Sequence, residues 1–502
     1  MAQQLQNITV RSPGFAGINT QDSPIGLDTS FAREADNCII DQFGRVGARK
    51  GTEAFVANNP EKNTDFVFEA TDKAGNFSII TSDNTGLFTA DSGYSQIGSF
   101  DGGNWKAVNF NDKTYLFKRG QTPIVGDISA DSFTAMSSTG APPSANDAIA
   151  AYGRLWAVDT DTDKSTVYWS DLLIGDTWNG GTAGSVDLDT VFPNGHDEIV
   201  ALAAHNNFLF ILCKKSIIIY KGADSPATMQ LQDTIEGVGC IARDSVQNTG
   251  TDVIFLSDTG VRSLGRVVQQ KSLPMRDISK NVRNDLLNDV IGHASNISSV
   301  YSAKEAFYLL FLPELSKTYC FDMRGSLEDG SFRVTTWSGI KIKDGFSRRN
   351  EDLLLATDKG LFKYSGYLDN SETYTLRYFT NPMDFGAPSN LKFLKRFNLV
   401  VIGDALAQTT LNWGYDYSKN YNISVFQNDF TQSPVAEYTA AGDTDVFEYV
   451  ESEYGISVDI QTPSVNASGS GTVVTVGIES RINDASYSIQ QMDIHALTGR
   501  LI

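Results

Sequence analysis

The fold is decided by a short stretch that reads Thr81-Ser82-Asp83-Asn84-Thr85-Gly86-Leu87-Phe88. It recurs with small changes as Leu256-Ser257-Asp258-Thr259-Gly260-Val261 and as Ala356-Thr357-Asp358-Lys359-Gly360-Leu361-Phe362. Each copy follows an apolar run and returns to apolar alternation, as the two arms of a β-hairpin do. Between the arms, an Asp supplies a side-chain acceptor and a Gly tolerates a positive φ. We therefore predict structural turns at Asp83 and Gly86, at Asp258 and Gly260, and at Asp358 and Gly360.

A second kind of hairpin occupies the intervals between these copies. It has a short turn between aromatic and aliphatic arms, and its three copies turn at Asn111-Asp112, Tyr152-Gly153 and Asn206-Asn207. Successive units begin mostly about 40–50 residues apart, which is the spacing of β-propeller blades. The sequence therefore predicts an all-β protein with a β-propeller of about six to eight irregular blades.

Changes of pattern divide the chain into three segments. Residues 1–60 hold an irregular leader and a short hairpin, too small for a core of their own, so we expect them to pair with a distant part of the chain or with a neighbouring subunit. Residues 61–370 carry the repeated hairpins and one segment, 277–291, whose apolar residues recur on one helical face. Residues 371–502 have longer strands and are predicted to form a β-sandwich.

Composition limits the classes of function. The formal net charge is −20, which opposes a general role in gripping nucleic acid because phosphate contacts need clustered Lys and Arg. The 43 glycines and the 11% aromatic content suit a turn-rich β protein. No apolar run approaches the length of a membrane span, and the N-terminus lacks the basic and apolar regions of a secretion signal. We expect no membrane anchor.

The sequence offers little catalytic chemistry. The four histidines show neither the spacing of a metal pair nor a nucleophile motif, and the four cysteines are scattered and read as reduced core residues. Asp159, Asp161 and Asp163 alternate as calcium ligands do, but Lys164 stands where a calcium loop needs Gly. A solvated hairpin tip is the favoured interpretation of these three carboxylates. We predict no enzyme activity, no cofactor and no resident metal.

Two clusters of basic residues depart from the acidic balance. Arg45 and Arg49 lie in the N-terminal hairpin, and Lys392 and Arg396 lie just before a strand of the C-terminal segment. Each cluster is a candidate contact for phosphate, for an adaptor or for a neighbouring acidic subunit. A solvated strand edge, protected by its charge against pairing, explains them equally well.

The N-terminal leader has a distinctive sequence that hydrophobic patterning and turn chemistry alone do not explain. The stretch Phe15-Ala16-Gly17-Ile18-Asn19-Thr20-Gln21-Asp22-Ser23-Pro24 resembles the opening of bacteriophage tail nozzle proteins, also called tail tubular protein B. Residues 235–261 resemble the propeller of that family, and Gln491-Met492-Asp493-Ile494-His495-Ala496-Leu497-Thr498-Gly499-Arg500 resembles its ending. The resemblance thus spans the chain.

This resemblance implies a structural virion protein made in the host cytoplasm. Such proteins form a homohexameric ring at the distal end of a short phage tail, bind a tail adaptor protein, and in some cases bind fibres or a needle. The N- and C-terminal segments would form a β-sandwich-like platform around a channel that retains DNA and then conducts it without stable binding. The loops near Asp443 and Ser468 are the candidates for channel or interface loops.

A second interpretation is a receptor-binding or glycan-degrading tail protein. Its supporting feature is a set of tryptophans that could stack on sugar rings: Trp105, Trp156, Trp169, Trp178, Trp337 and Trp413. Packing inside the blades explains the same residues more readily. A cellular propeller scaffold is a third interpretation, for which the resemblance of the leader would be a coincidence.

Overall fold

The computed structural model of the chain describes residues 5–12, 14–24, 26–56, 62–193, 195–265, 277–430 and 459–501. The described residues form a six-bladed β-propeller and further sheets built from the N- and C-terminal strands. The prediction of an all-β propeller with terminal strands forming additional sheets is thereby confirmed.

The N-terminal segment supplies six strands, most of which pair with distant parts of the chain. They are β1 (Leu5–Arg11), β2 (Gly17–Ile18), β3 (Phe31–Asp36), β4 (Cys38–Ile40), β5 (Val46–Ala48) and β6 (Thr52–Ala54). β6 pairs with β32 (Leu361–Tyr364) and completes a propeller blade. The leader is therefore divided between the propeller and the other sheets. The division of the sequence into segments 1–60 and 61–370 did not predict that a leader strand belongs to a blade.

The first four blades follow in chain order, each with four antiparallel strands. Blade one contains β7 (Phe66–Thr71), β8 (Phe77–Ser82), β9 (Leu87–Thr89) and β10 (Ser95–Gln96); blade two contains β11 (Lys106–Phe110), β12 (Lys113–Phe117), β13 (Ile124–Asp127) and β14 (Ser132–Ala135). Blade three contains β15 (Ala145–Ala151), β16 (Arg154–Thr160), β17 (Thr166–Trp169) and β18 (Gly184–Asp187); blade four contains β19 (Ile199–His205), β20 (Phe208–Cys213), β21 (Ser216–Lys221) and β22 (Gln230–Glu236).

A small three-stranded sheet lies between the fourth and fifth blades of the ring. Its strands are β23 (Gln247–Asn248), β24 (Val253–Ser257) and β25 (Gly260–Ser263). The Asn248 side chain donates to the Ala204 carbonyl of blade four at 3.2 Å, and the Gln247 side chain donates to the Ser299 carbonyl of blade five at 2.8 Å. The sheet therefore fills the ring between its two neighbours.

Two more blades close the ring. Blade five contains β26 (Ser298–Ser302), β27 (Phe307–Leu312), β28 (Lys317–Ser326) and β29 (Phe332–Ser338); blade six contains β30 (Ile342–Ser347), β31 (Leu353–Thr357), β32 and the N-terminal strand β6. Because the outer strand of blade six comes from residues just before blade one, the two ends of the ring are held together by the chain itself.

The two kinds of predicted hairpin occupy equivalent positions in different blades. The turns after residues 82, 257 and 357 each join the second and third strands of their sheet. The turns at Asn111, Tyr152 and Asn206 each join the first and second strands. Both kinds of hairpin therefore belong to the same repeated unit. One kind is the turn between its first and second strands, and the other is the turn between its second and third strands.

The segment 277–291, predicted as an amphipathic helix, begins with a 3-10 turn at Lys280–Val282 and continues as α1 (Arg283–Val290). Ile278, Val282, Leu286 and Val290 are buried, whereas Leu287 is half-buried. The apolar stripe of this segment packs against the same core as the terminal strands.

The C-terminal segment supplies the remaining strands. They are β33 (Tyr374–Thr380), β34 (Asn390–Gly403), β35 (Leu406–Tyr415), β36 (Asn422–Asp429), β37 (Asp459–Gln461), β38 (Ser464–Asn466), β39 (Ser470–Gly471), β40 (Val474–Ile482) and β41 (Tyr487–Leu501). An eight-stranded sheet is built on β34 and β41, with β1, β4 and β5 from the leader. A ten-stranded sheet runs from blade five through β3 to β33, β40, β35 and β36.

We call the eight-stranded sheet and the part of the ten-stranded sheet beyond β29 the platform. Its two sheets bury alternating side chains against each other, as in a β-sandwich. The Phe397 and Trp413 rings, one from each sheet, lie with centroids 5.7 Å apart. Because β3 pairs with blade five on one side and with β33 on the other, the propeller and the platform share a sheet.

A buried arginine joins the leader to the end of the propeller. The Arg49 guanidinium donates to both Asp369 carboxylate oxygens at 2.8 and 2.6 Å and to Asn37 Oδ1 at 3.0 Å. It also lies 4.2 Å from the centroid of the Tyr374 ring. Its side chain is almost fully buried, so this ion pair has little access to water.

We predict that Arg49→Met lowers the free energy of unfolding by about 3–5 kcal/mol, because it leaves the Asp369 carboxylate without its buried partner. Arg49→Lys should restore only part of the loss, since an ammonium cannot make the two parallel hydrogen bonds. Urea denaturation followed by tryptophan fluorescence measures the change. The control is Lys73→Ala, which breaks a solvent-exposed ion pair with Asp112 and should leave the midpoint unchanged. Equal midpoints for Arg49→Met and wild type would contradict the assigned role.

Candidate functional site

Charged side chains meet where the inner strands of the propeller converge. We call this group the axial cluster: Lys106, Asp147, Arg243, Asp244 and Asp344. Lys106 begins β11, Asp147 lies in β15, and Asp344 lies in β30. Arg243 and Asp244 precede β23. The cluster therefore draws on blades two, three and six and on the chain that leads into the small sheet.

The cluster spans the centre of the ring. Lys106 Nζ lies 3.4 Å from Asp147 Oδ1 and 3.5 Å from Asp244 Oδ1, and Arg243 Nη2 lies 2.5 Å from Asp244 Oδ2. Asn104, just before β11, donates to Asp244 Oδ2 at 2.9 Å. Blade two thus contacts the segment before β23 directly, so side chains bridge the propeller axis at this level.

Two of the carboxylates also tie neighbouring blades through the backbone. Asp147 Oδ2 accepts a hydrogen bond from the Leu202 amide of blade four at 2.8 Å. Asp344 Oδ2 accepts one from the Val67 amide of blade one at 3.0 Å. In both cases the carboxylate of one inner strand meets an N–H of the next inner strand. These contacts fix the spacing between blades.

The surroundings drive the pKa values of the carboxyls apart. Burial raises the pKa of Asp244, but the charges of Arg243 and Lys106 outweigh it and hold that pKa at about 2. Burial, followed by the charge of Asp244, raises the pKa of Asp344 to about 7. Asp244 is therefore ionised at neutral pH, whereas Asp344 exchanges its proton near neutrality.

Chemically, the axial cluster is a network of ion pairs that joins several blades. Its two cations pair with Asp147 and Asp244, and Asp147 and Asp344 also accept hydrogen bonds from backbone amides. The sequence does not reveal it, because its members are far apart along the chain and follow no motif. A polar residue near the start of an inner strand is the only local signal, and that signal is weak.

The predicted structural turns form, but with different side-chain chemistry in each copy. Asp83 Oδ1 accepts from the Thr85 and Gly86 amides at 2.6 and 2.9 Å, as predicted. In the third copy the acceptor is instead the Thr357 hydroxyl, which receives the amides of Lys359 and Gly360, and Asp358 is exposed.

In the second copy, too, the Asp does not accept the turn amides, and in the first copy Gly86 does not have the predicted positive φ. Asp258 accepts from the Ser257 hydroxyl at 2.9 Å, which is a side-chain contact and not a turn-closing one. Gly260 and Gly360 have positive φ, at 121° and 148°, whereas Gly86 does not adopt positive φ. The reason is that the first copy has one more residue between its Asp and its Gly.

The weak calcium candidate does not assemble. Asp159 bonds the Arg119 guanidinium and the Asn146 amide, and Asp163 accepts the Ser165 and Thr166 amides of its own turn. Asp161 is exposed. Within the described ranges, no three His, Cys, Asp or Glu side chains converge as a metal site would need. The three carboxylates serve their hairpin and its neighbours.

Only part of the basic clusters is accessible for binding. Arg49 is buried, and Lys392 is also buried, with its Nζ donating to the Thr472 carbonyl at 2.7 Å and to the Ala387 carbonyl. The expectation that these two contact a partner is therefore corrected. Arg45 pairs with Asp41 at 2.6 Å, and Arg396 is exposed on β34.

Of the two candidate loops, one is described. Asp443 lies outside the described residues. The Ser468 carbonyl accepts hydrogen bonds from Trp413 Nε1 at 3.0 Å and from the Tyr415 hydroxyl at 2.7 Å. The loop is thus fastened to the platform through its backbone, while the Ser468 side chain faces solvent.

The tryptophans are structural. The most exposed of them, Trp178, shows 7% of its surface to solvent. Trp156 and Trp169 pack against each other inside blade three with ring centroids 5.6 Å apart. None of the six presents an open ring face for a sugar. The four cysteines are likewise buried and free.

Among the described residues, the ten-stranded sheet ends at β36. β36 pairs with β35 on one side, and no strand of the described chain pairs with its other side. Ile423 and Val425 lie on this strand and are 62% and 54% exposed. β36 carries neither Lys nor Pro, the residues that commonly block such edges. We call β36 the open edge.

The eight-stranded sheet has a polar outer face. Its rows cross three strands: Asn7, His495 and Arg396 form one row, and Thr9, Asp493 and Asn398 form the next. Asn398 Nδ2 lies 3.0 Å from His495 Nε2. This face therefore presents hydrogen-bonding groups with few charges. In the part of the chain that the structure describes, no helix has the length and apolar character to cross a bilayer.

We predict that Arg243→Met destabilises the protein by about 3 kcal/mol, since the Asp244 carboxylate, which is 17% exposed, loses its main partner. Lys280→Met, which breaks a half-exposed pair with Asp329, is the control and should cost about 0–1 kcal/mol. Chemical denaturation measures both. A loss for Arg243→Met no larger than that of the control would show that the axial cluster does not hold the ring.

Comparisons with known proteins give structural similarity only. No family model matches the sequence, and no curated protein matches it. Three solved structures share similarity with the chain at TM-scores of 0.38–0.40. The extracellular domain of the putative one component system BT4673 from B. thetaiotaomicron is 14% identical over 64% of this chain, which matches 40% of that protein's length.

The other two are matched over nearly their whole length. The Neurospora crassa Pan2 WD40 domain is 8% identical and covers 65% of this chain and 98% of its own. BamB from Moraxella catarrhalis is 11% identical and covers 69% of this chain and 99% of its own. At such identities, these similarities concern the fold alone.

Proposed function

We propose that this protein is a structural virion protein that forms the distal nozzle of a short phage tail. In this role it is a homohexameric channel that retains genomic DNA and then conducts it, attached to a tail adaptor protein and, where present, to fibres or a needle. The observation that carries the proposal is the open edge. Within the described residues this edge has no further strand beside it and carries neither Lys nor Pro, and such an edge is a template for pairing with another chain.

The polar face of the eight-stranded sheet supports the conduit. A wall for moving DNA needs contacts that are weak and easily exchanged, because each firm phosphate contact with Lys or Arg adds to the affinity. In the two rows named above, the acidic and basic members are Asp493 and Arg396, and the other members are Asn7, Thr9, Asn398 and His495. The net charge of −20 adds a general repulsion of DNA.

The axial cluster is evidence that DNA would pass outside the propeller and not along its axis. Its ion pairs bridge the ring between Lys106 and Asp244 at 3.5 Å, so a duplex has no passage through the axis at that level. A channel between platforms of adjacent subunits leaves the propellers at the circumference. The receptor-binding or glycan-degrading alternative loses its main sequence feature, because all six tryptophans are buried.

We predict that the purified protein forms six-fold rings, alone or on its adaptor, and that Val425→Lys shifts it to monomers. A lysine on the open edge places a charge where a neighbouring strand would pair, without disturbing the buried side of β36. Mass photometry and negative-stain class averages measure particle size and symmetry. Unfolding midpoints of variant and wild type should agree.

The matched control is Ile291→Lys, which places the same charge on an equally apolar residue that is 72% exposed beyond the end of α1. That variant should form rings like the wild type. A wild-type protein that stays monomeric with and without adaptor would overturn the proposal. Binding of such a monomer to host envelope glycans would favour the receptor-binding alternative.

A further inference from the structure

A cavity lies in the platform, between β1 of one sheet and the loop that follows β33 of the other. We call it the platform cavity. Its volume is about 390 Å³, within the range of about 300–1,000 Å³ that is usual for small-ligand sites. Three segments line it: the start of β1, the leader near Leu27 and Thr29, and residues 381–386. Among the described residues that line the cavity, none carries a positive charge.

Part of the cavity lining is apolar and firmly held. Ile8, Leu27 and Met383 contribute aliphatic side chains. Met383 exchanges two backbone hydrogen bonds with Val474 of β40, at 2.8 and 2.9 Å, so its position is fixed by the sheet. Phe385 adds an aromatic ring and has a φ of 53°, a left-handed conformation that is strained for a bulky side chain. The cavity therefore has a preformed apolar wall.

The polar part of the lining has acceptors that the described residues leave open. Asn381 is 3% exposed, and its Nδ2 donates to the Phe31 carbonyl of β3 at 3.2 Å. Within the described ranges, its Oδ1 accepts no hydrogen bond. Asp384 Oδ1 accepts the Gly386 amide at 2.8 Å, and no described group donates to its Oδ2. Both of these oxygens can therefore accept hydrogen bonds from a molecule in the cavity.

Asp384 also gives the cavity lining its one carboxylate. It forms no ion pair with any described residue. Lys392 of β34 is near enough for the two charges to interact, but its ammonium donates to the Ala387 and Thr472 carbonyls. A cationic ligand would give this carboxylate a direct partner, whereas a neutral ligand would cover it without one. The charge of the cavity thus favours a cation.

We propose that the platform cavity binds the side chain of an arginine from a partner protein. A guanidinium has several N–H donors in one plane, which suits the Asp384 carboxylate and the Asn381 oxygen. It also stacks on aromatic rings such as that of Phe385, and its aliphatic stem packs on apolar side chains. Gln6 Nε2 donates to no described group and is left for a backbone carbonyl of the same partner. This inference does not rest on the nozzle assignment, because the cavity lies within one subunit.

Methyl NMR of the full chain, labelled at its methionine methyl groups, tests this proposal. The probes are acetylated and amidated glycyl-arginyl-glycine and the same peptide with citrulline, which is a neutral side chain of nearly the same shape. We expect the Met383 methyl signal, assigned with Met383→Leu, to shift with the arginine peptide until the cavity is saturated. The citrulline peptide should bind at least about fivefold more weakly, because hydrogen bonds between charged groups are the stronger ones.

Two variants make the test specific. Asp384→Asn keeps an oxygen for the Gly386 amide but removes the charge, so it should weaken the arginine peptide about fivefold and leave the citrulline peptide unchanged. Asp404→Asn removes an exposed charge between β34 and β35 and should bind like wild type. If Asp384→Asn does not fold, the two peptides on wild type decide. Equal affinities for both peptides, an arginine affinity unchanged by Asp384→Asn, or a Met383 signal that does not move would overturn the proposal.

Discussion

The structure depends on the placement of one leader strand between two distant parts of the chain. β3 pairs with blade five through Asp36 and Thr336, and on its other side it pairs with β33 through Ala35 and Tyr378. Since every strand must satisfy its backbone groups, the platform is incomplete without β3, and blade six is incomplete without the leader strand β6. The buried ion pair of Arg49 with Asp369 fixes the same leader a few residues later.

The repeated turns made the propeller predictable, because their spacing and composition are local properties of the sequence. Hairpin positions were correctly placed for this reason, as at Gly260 and Gly360. The sequence did not predict which side chain accepts the hydrogen bonds in each turn. In the third copy Thr357 takes the place of Asp358, because the acceptor depends on the exact position of one side chain in the turn. The sharing of β6 and β3 between sheets was also hidden, because long-range pairing leaves no local pattern.

The candidate sites show the same division. The sequence marked Arg49 and Lys392 as basic residues free to bind, but tertiary packing buries both of them. It gave no sign of the axial cluster, whose members meet only when the ring closes. The tryptophans illustrate the opposite case, in which the simpler interpretation, packing inside the core, was correct.

The proposed function depends on the charged groups at the propeller centre, on the polar face of the eight-stranded sheet and on the edge strand β36. The axial cluster bridges the centre of the propeller, the polar face of the eight-stranded sheet offers weak contacts, and the open edge offers a site for assembly. Under the proposed nozzle function, these features are the reasons for assigning the working surface to the platform and a supporting role to the propeller. The acidic balance of the chain is consistent with a wall along which DNA moves without sticking.

The most direct measurement is electron cryomicroscopy of the wild-type protein assembled alone or on its adaptor. The account predicts a six-fold ring with platforms around the opening, β36 at the contact between neighbours, and propellers outside with their axes bridged. A central opening that runs along a propeller axis, or a platform that makes no contact with a second copy, would contradict it.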